Sequence, residues 1–463
     1  MNKEGLTMDY YGLLAQHAAA HGDSTYIVAR GRAYTYAEAF REACGFVRPE
    51  WAARFPKGYK ATVLIVTSDL YHQLLAFTAL MKAGQVPVIG HYDLPGAAEA
   101  QMVEQNRIAF VLSEEEGTWI LRDGCAAASE GGPAPAPYQD VCMGVLSSGS
   151  TDVPKVMYRT YESWAGFFPV QNGRFRIDRG AVVLVEGSFG FTGNLSVWAS
   201  VLYAGACLVV SDTLNCRQWL RLIDTYGVTV LYLVPTKLKL LTQYLDGSHG
   251  TMDMILAGSQ LLGAKTAERL RAGFPEADIL LYYGASELDY ITWLSYDEVL
   301  RYPDSVGKPV PGVRVWSEKG LIYVDTPYHV AGLAQPCTLN DAGYFNDEGY
   351  LIFEGRVTNI INKGGFKINC TKVQNAIEDL DGVVGAVVLP YDDQGRGQEA
   401  AAFLVVEKDP AVQACFTKQS VRKALQKTLM RQEIPKKIRF IDAIPLNSRG
   451  KTDKAALLRQ LEV

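Results

Sequence analysis

The pattern of apolar and polar positions between residues 61 and 90 predicts a strand, a helix and a second strand. ATVLIVTSD (61–69) is a nearly continuous apolar run, and YHQLLAFTALMKAG (71–84) spaces its apolar residues as a helix does. QVPVIG (85–90) is again short and apolar. A glycine closes the helix, so the segment is typical of a βαβ unit, and AEAQMVEQNRIAFVLSE (98–114) repeats the pattern.

The same alternation continues over the next part of the chain. Five further apolar runs are separated by helix-like stretches: AVVLVEG (181–187), CLVVSD (207–212), VTVLYLVP (228–235), MILAG (254–258) and DILLYYG (278–284). Strands that are apolar along their whole length are typical of mostly parallel sheets covered by helices on both faces. The fold class predicted for this part is therefore α/β.

Two changes in composition and strand pattern along the chain suggest domain boundaries. Residues 124–137, GCAAASEGGPAPAP, are rich in Ala, Gly and Pro and are predicted to form a flexible connector. From about residue 320 the strand-like pieces are joined by Asp/Gly turns, and the last hundred residues alternate strands with helices. This pattern favours a smaller, separately packed α+β domain.

Composition and charge narrow the possible functions. The chain has 463 residues, 48% of them hydrophobic and 21% charged, and its formal net charge of -5 gives no basic footprint for nucleic acid. We find no run long enough for a membrane span and no signal peptide, so a cytoplasmic protein is expected. The eight cysteines are scattered without a CxxC pair, which favours buried thiols over a metal site or a disulfide framework.

Four motifs follow one another in a fixed order along the chain. LSSGSTDVPKV (146–156) is a turn rich in hydroxyl groups and backbone donors, suited to phosphate, although it does not fit GxxxxGK[ST]. The other three are YYGASE (282–287), NDAGYFNDEGYLIFEGR (340–356) running into INKGGFKI (361–368), and IPLNSRGKTDKAAL (444–457). A single loop of this kind is usually only a turn, but four in order are not a coincidence.

In these motifs the chain resembles the acyl-adenylate-forming superfamily, which includes acyl- and aryl-CoA synthetases, peptide-synthetase adenylation domains and luciferase-like enzymes. The resemblance covers nearly the whole chain. It implies attack of a carboxylate on the α-phosphorus of ATP with Mg²⁺, release of pyrophosphate, and transfer of the acyl group to the thiol of CoA. Two anions meet in the first step, which needs cations and preorganised donors more than a protein nucleophile.

The resemblance also implies a domain organisation. An N-terminal domain over residues 1–355 would hold the AMP and acyl sites and include a small β-barrel-like lobe. Residues 356–358 would form a hinge, and residues 359–463 a mobile C-terminal domain. Rotation at the hinge would bring Lys451 to the adenylation step and the GGFKI segment to the thiol step. Gly364 and Gly365 would allow a pantetheine arm to approach the backbone closely.

Nucleotide-binding residues are carried over position by position. The first motif would surround the β- and γ-phosphates, with Lys155 near the pyrophosphate. Tyr283 would pack on adenine, Glu287 would coordinate Mg²⁺, and Asp341 would accept hydrogen bonds from the ribose. The residues expected to bind ATP or AMP are Ser147, Ser148, Gly149, Ser150, Thr151, Lys155, Gly258, Ser259, Tyr282, Tyr283, Gly284, Ser286, Asp341, Arg356 and Lys451. Those expected to act in catalysis are Lys451, Lys155, Glu287 and Arg356.

The acyl pocket is expected around GSFGFTGNLSVW (187–198). Thr192 stands near the position where amino-acid-activating members carry an Asp, so a free α-amino group would be buried without a partner. Phe189, Phe191, Thr192 and Gly258 are the predicted pocket residues. The aromatic residues Phe189, Phe191 and Trp198 favour an aryl or apolar acyl group, although core packing is an equally good interpretation of each.

Departures from the family pattern leave alternatives open. Asp152 replaces a usual Gly or Ser beside the phosphates, where it would repel them without Mg²⁺ or a basic neighbour such as Arg159, and Thr358 replaces the usual hinge Asp or Lys. An enzyme that loads a phosphopantetheinyl carrier protein is the main alternative to a CoA ligase. A degenerate nucleotide-binding homologue is the third. Against it speaks the joint presence of Lys155, Glu287, Asp341, Arg356 and Lys451.

Overall fold

A computed structural model describes residues 9–91, 96–124, 133–147, 153–357, 360–363, 366–393, 397–445 and 452–461. The helices within these ranges are α1 (Tyr10–His21), α2 (Tyr36–Phe46), α3 (Pro49–Ala52), α4 (Leu70–Lys82), α5 (Gly96–Gln105), α6 (Glu162–Ala165), α7 (Phe168–Phe175), α8 (Thr192–Ala204), α9 (Cys216–Tyr226), α10 (Pro235–Leu241), α11 (Ala264–Gly273), α12 (Tyr296–Arg301), α13 (Cys370–Glu378), α14 (Pro410–Cys415), α15 (Lys418–Leu425) and α16 (Lys454–Arg459).

The strands up to the end of the parallel region are β1 (Thr25–Ala29), β2 (Arg32–Thr35), β3 (Thr62–Val66), β4 (Val86–Ile89), β5 (Phe110–Glu115), β6 (Thr118–Asp123), β7 (Met143–Leu146), β8 (Val156–Arg159), β9 (Val182–Glu186), β10 (Cys207–Ser211), β11 (Val230–Tyr232), β12 (Met254–Gly258) and β13 (Asp278–Ala285). Those that follow are β14 (Asp289–Ser295), β15 (Ser305–Pro309), β16 (Arg314–Glu318), β17 (Leu321–Asp325), β18 (Asp341–Phe345), β19 (Leu351–Arg356), β20 (Ile360–Lys363), β21 (Phe366–Asn369), β22 (Val383–Asp393), β23 (Gly397–Val406) and β24 (Lys437–Phe440).

The βαβ unit predicted at residues 61–90 forms as β3, α4 and β4, with β3 and β4 parallel. Asp69 begins the helix because its carboxylate accepts a hydrogen bond from the backbone N–H of His72 at 3.0 Å. Gly84 follows the end of this helix with a φ of +72°, a left-handed conformation that suits glycine. Nearly all of α4 is buried, since it contacts β3 and β4 on one side and β1 of another sheet on the other.

Two large sheets build the N-terminal part of the chain. The first has six strands in the order β6-β5-β3-β4-β7-β8, and the second has thirteen in the order β16-β17-β18-β19-β15-β14-β13-β12-β11-β9-β10-β1-β2. In the second sheet, the neighbours from β1 through β10, β9, β11 and β12 to β13 are parallel, and the antiparallel pairing begins between β13 and β14. The α/β fold class is confirmed.

The strands from β15 to β19 differ from the barrel-like lobe expected here. They are antiparallel and continue the thirteen-stranded sheet at one edge, and the described strands do not close into a barrel. The connection explains the difference: β15 pairs with both β14 and β19, so the lobe shares hydrogen bonds with the main sheet.

The C-terminal part has its own strands and its own apolar clusters. A β-hairpin of β20 and β21 and a sheet of β22, β23 and β24 surround buried residues such as Val373, Ile377 and Leu404. Residue 358 of the predicted hinge lies outside the described residues, and the division at 356–358 stays a prediction. Within the described part of the chain, no helix is long and apolar enough to cross a membrane.

Trp198 lies in the core rather than at the surface of any pocket. It is fully buried, packs against Tyr10 and Phe77, and its indole N–H donates to the Tyr26 hydroxyl at 2.6 Å. Core packing, one of two interpretations that the sequence allowed for this residue, therefore describes it.

We expect Trp198→Ala to lower the free energy of unfolding by about 3–5 kcal/mol, because it removes a large buried side chain and leaves a cavity. Urea denaturation followed by circular dichroism measures this loss. Trp316→Ala, at a half-buried position in β16, is the matched control and should cost much less. Equal losses for the two variants would contradict the placement of Trp198.

Candidate active site

A cavity of about 760 Å³ lies where the parallel strands β9, β11, β12 and β13 end. Parallel strands expose their carboxyl ends at one edge of a sheet, which is where α/β proteins place their ligand sites. Ten of the residues predicted from the sequence line this cavity: Phe191, Thr192, Ser259, Tyr282, Tyr283, Gly284, Ser286, Glu287, Asp341 and Arg356.

A tyrosine, a carboxylate and a guanidinium meet on one wall of the cavity. The Tyr283 hydroxyl donates to Asp341 at 2.6 Å, and the Arg356 Nε lies 3.4 Å from the other carboxylate oxygen. Strand pairing brings the two charged residues together, because Asp341 of β18 is directly opposite Arg356 of β19. Burial raises the pKa of Asp341, and the Tyr283 hydrogen bond and the Arg356 charge oppose that rise.

The turn between β13 and β14 holds Ser286 and Glu287 at the cavity. Arg159, which is completely buried, donates from its guanidinium to the Ser286 carbonyl at 2.8 Å and to the Tyr328 carbonyl at 3.0 Å. The Glu287 carbonyl in turn accepts from the N–H of Val330 at 2.9 Å. The turn is therefore fixed by backbone contacts on both sides of the residues that it presents.

Ser286 is also held through its side chain. Its hydroxyl donates to the Thr192 hydroxyl at 3.0 Å, and Thr192 donates to the Leu146 carbonyl at 3.2 Å. Leu146 ends β7, directly before the hydroxyl-rich loop of the first motif. The chain of hydrogen bonds thus joins the start of that loop to the β13–β14 turn.

Gly258 lies behind the ring of Tyr282 and does not line the cavity directly. A Cβ at Gly258 would be 2.2 Å from the Tyr282 Cζ, so only glycine leaves room for the ring. The Tyr282 hydroxyl is 2.8 Å from that of Tyr232, which comes from the end of β11. Ser259 follows with a φ of +73°, a left-handed conformation that is uncommon for serine and turns its side chain toward the site.

Three predicted residues of the described part lie elsewhere. Phe189, expected in the acyl pocket, is fully buried in the main core, and its N–H donates to the Gln73 side chain at 2.9 Å. Ser147 and Lys155 lie near the two ends of the first motif. The Lys155 N–H donates to the Ser147 hydroxyl at 3.1 Å, and the lysine is exposed. Neither is among the residues that line the cavity. The predicted residues Ser148, Gly149, Ser150, Thr151, Gly364, Gly365 and Lys451 lie outside the described ones.

Sequence reasoning missed an ion pair at the cavity. Glu186 and Lys237 both line it, and the Lys237 ammonium contacts the Glu186 carboxylate. Asn194 braces the same segment, since its side-chain amide donates to the carbonyls of residues 186, 187 and 188. The signal was available, because Glu186 ends an apolar strand and Lys237 follows the end of the next parallel one.

Glu287 fits a hard metal ion in its chemistry. Its carboxylate supplies oxygen, the donor that Mg²⁺ prefers, in a cavity where Ser286 and Thr192 add hydroxyl oxygens. Among the described residues we find no group of three or more His, Cys, Asp or Glu side chains that could hold a metal ion. An ion at Glu287 would therefore take most of its ligands from phosphates and water.

Comparison with solved structures identifies proteins of the same fold. The fold is shared with an o-succinylbenzoate CoA synthetase of Bacillus subtilis, solved with an acyl-adenylate intermediate (TM-score 0.81, 19% identity, covering 96% of this chain and 97% of that one). The same enzyme in complex with ATP and a magnesium ion gives a TM-score of 0.80 at 19% identity, covering 96% and 99%. At this identity the likeness shows the fold.

The family follows from the sequence match. Residues 14–320 match the AMP-binding enzyme family, and residues 372–451 match the AMP-binding enzyme C-terminal domain. The chain therefore belongs to the AMP-binding enzyme family, and the resemblance seen in the four motifs is confirmed. It is an adenylate-forming enzyme of the acid–thiol ligase class.

Two relatives differ in the acceptor that their names give. An uncharacterized acyl–CoA ligase, YhfT, of Bacillus subtilis is 26% identical over 436 residues, covering 87% of this chain and 88% of the relative. A D-alanine–D-alanyl carrier protein ligase of Lactococcus lactis is 25% identical over 347 residues, covering 68% and 69%. The similarity spans both acceptors, CoA and a carrier protein.

We expect Gly258→Ala to lower the free energy of unfolding by about 1–3 kcal/mol, because the new methyl group displaces the Tyr282 ring. Thermal or urea unfolding measures the change. Gly247→Ala is the control, since an added Cβ there meets nothing within 4 Å. Combining Gly258→Ala with Tyr282→Leu should cost less than the sum of the single changes, and simple additivity would contradict the contact.

Proposed function

We propose that the protein activates a carboxylic acid with ATP and Mg²⁺ and transfers the acyl group to CoA. A carboxylate oxygen of the acid attacks the α-phosphorus of ATP, the bond to pyrophosphate breaks, and acyl-AMP forms. The thiolate sulfur then attacks the acyl carbon and AMP leaves. The observation that carries the proposal is that Tyr283, Asp341, Ser286 and Glu287 lie in one cavity of an AMP-binding enzyme.

Nucleoside binding is assigned to the wall formed by Tyr283, Asp341 and Arg356. The Asp341 carboxylate can accept hydrogen bonds from two ribose hydroxyls, and its position on a sheet strand fixes its orientation. Arg356 compensates its charge at 3.4 Å, so the carboxylate remains an acceptor in spite of its burial. The ring of Tyr283, which packs against Phe353, offers a face for adenine.

Phosphate binding is assigned to the turn of Ser286 and Glu287 together with the first motif. Mg²⁺ bound at Glu287 would neutralise phosphate charge, and the Ser286 hydroxyl would donate to the α-phosphate. The roles of residues Ser147–Thr151 and of Lys155 at the pyrophosphate, and of Lys451 in the adenylation step, rest on the sequence resemblance. The same holds for the hinge at residues 356–358 and for Gly364 and Gly365 beside the pantetheine arm.

The acyl group is assigned to the side of the cavity where Phe191, Thr192 and Tyr282 lie, with Gly258 behind the tyrosine. Phe191 is half exposed at the cavity and supports an aryl or apolar acyl body. Transfer to a phosphopantetheinyl carrier protein is the second candidate, since a carrier protein ligase is among the relatives. CoA and the carrier offer the same thiol, so the adenylation half of the proposal is common to both.

The test is pyrophosphate exchange into ATP with a panel of carboxylic acids, followed by thioester formation with CoA or with a holo-carrier protein. We expect acid-dependent exchange that disappears with EDTA and in Glu287→Gln. EDTA removes the metal ion, and the substitution removes the carboxylate that would bind it. The control Glu354→Gln changes an exposed carboxylate of β19 and should leave exchange unchanged. If a thioester forms only on the carrier protein, the carrier and not CoA is the acceptor. If the protein binds ATP but shows no exchange with any acid, the adenylation proposal is refuted.

We expect Asp341→Asn to raise the KM for ATP by about ten- to a hundredfold, because a hydrogen bond to a charged acceptor is worth roughly 1.5–3 kcal/mol. Steady-state exchange kinetics at varied ATP measure this effect. Asp325→Asn is the matched control: its carboxylate lies on the adjacent strand β17 and pairs with Arg314. An unchanged KM in Asp341→Asn would remove this residue from the nucleotide site.

A further inference from the structure

The acyl side of the cavity ends in polar groups rather than apolar ones. Tyr232, Tyr282, Ser196, Asp289 and Tyr290 all line the cavity, and each is exposed by 9% or less. We call these five residues the polar end. Four hydroxyls and a carboxyl group in such a place form a site for hydrogen bonding, because burying them without ligands is unfavourable.

Strand geometry separates the polar end from the residues assigned to the nucleoside. Successive side chains of a strand point to opposite faces, and Tyr282 and Tyr283 are neighbours in β13. Tyr283 is directed to Asp341, whereas Tyr282 is directed to Gly258 and Tyr232. Tyr282 therefore lies on the other side of the β13 backbone from Asp341, together with Tyr232 and with Tyr290, whose ring centroid is 4.6 Å from that of Tyr282.

The hydroxyl groups of the polar end have unused hydrogen-bonding capacity. One hydrogen bond joins Tyr232 and Tyr282 at 2.8 Å, and it uses only one of their two O–H donors. The hydroxyls of Tyr290 and Ser196 interact with each other, but neither makes a hydrogen bond of normal geometry. The Oδ2 of Asp289 also lacks a donor. A ligand with both a donor and an acceptor would satisfy these atoms.

The charges around Asp289 favour a neutral ligand group. The guanidinium of Arg159 is completely buried and donates to the carbonyl of Ser286, three residues before Asp289. Because a buried cation already stands near this carboxylate, an ammonium group would add a second positive charge in a poorly solvated place. A hydroxyl group can donate to Asp289 and accept from Tyr290 or Ser196 without adding charge.

We propose that the acid activated by this enzyme carries a hydroxyl group at the end remote from its carboxylate, and that Tyr290, Ser196 and Asp289 bind this hydroxyl. The inference rests on the proposed function and names the substrate class of the same site. Tyr232 and Tyr282 set the length of the acyl group, since their rings fill the space in front of Gly193 and Gly258.

The experiment is pyrophosphate exchange with two sets of matched acids. The first set is benzoate, meta- and para-hydroxybenzoate and para-aminomethylbenzoate, and the second is hexanoate with its terminally hydroxylated and aminated derivatives. We expect a hydroxylated acid to exceed its unsubstituted parent in kcat/KM by at least about tenfold, because the parent leaves the buried polar groups unpaired. It should exceed the cationic derivative as well.

Two conservative variants link that preference to the polar end. In Tyr290→Phe and in Ser196→Ala we expect the ratio of kcat/KM for the hydroxylated acid to kcat/KM for its parent to decrease by about tenfold. Both variants keep the shape of the side chain and remove a hydroxyl without a well-formed hydrogen bond, so folding is retained. Tyr244→Phe, at an exposed tyrosine, is the control and should keep the ratio of the wild type.

The possible results separate this inference from the proposed function. Three results would overturn the inference and leave adenylation standing. They are equal exchange rates for parent and hydroxylated acids, a preference for the aminated acids, and an unchanged ratio in Tyr290→Phe. No exchange with any acid of either set would overturn both.

Discussion

The arrangement of the site depends on the hydrogen bonds that the buried guanidinium of Arg159 donates. Arg159 ends β8 of the six-stranded sheet, and its donors reach Ser286 and Tyr328, which belong to the other large sheet and its loops. Trp164 packs on the guanidinium face with the Cζ 5.0 Å from the ring centroid. A charge so deep in the protein is costly unless its donors are used, and the hydrogen bonds from its two terminal nitrogens tie the two sheets together, although its Nε has no partner. The β13–β14 turn with Glu287 follows from that position.

The end of β13 divides the cavity in two by strand alternation alone. Since successive side chains point to opposite faces, two adjacent tyrosines serve different purposes: Tyr283 reaches Asp341, and Tyr282 reaches Tyr232. β13 is also where the sheet changes from parallel to antiparallel pairing. The β13–β14 hairpin, where this change occurs, places Ser286 and Glu287 at the cavity. These two residues therefore belong both to the connection between the strands and to the site.

Much of this could be predicted from the sequence, and the limits have physical causes. Apolar runs and helical spacing predicted the parallel strands, because those signals are local. The motif YYGASE predicted the site residues of the β13–β14 turn, because it occurs in order with the other motifs. Phe189 was expected in the pocket, but an aromatic side chain beside a cavity and one beneath it have the same local pattern. Arg159 was considered as a partner for Asp152, whereas its donors reach carbonyls up to 169 residues away in sequence. Such contacts leave no local signal.

Helix α13 shows how the C-terminal part completes the cavity. Thr371 and Gln374, near its beginning, line the cavity, while its last carbonyls meet two lysines of the N-terminal part. Lys239 contacts the Glu378 carbonyl, and Lys265 lies 3.2 Å from that of Asp379. Cations suit the carboxyl end of a helix, and its amino end suits anions. The two lysines therefore hold α13 at its carboxyl end, while residues near its amino end complete the wall of the cavity.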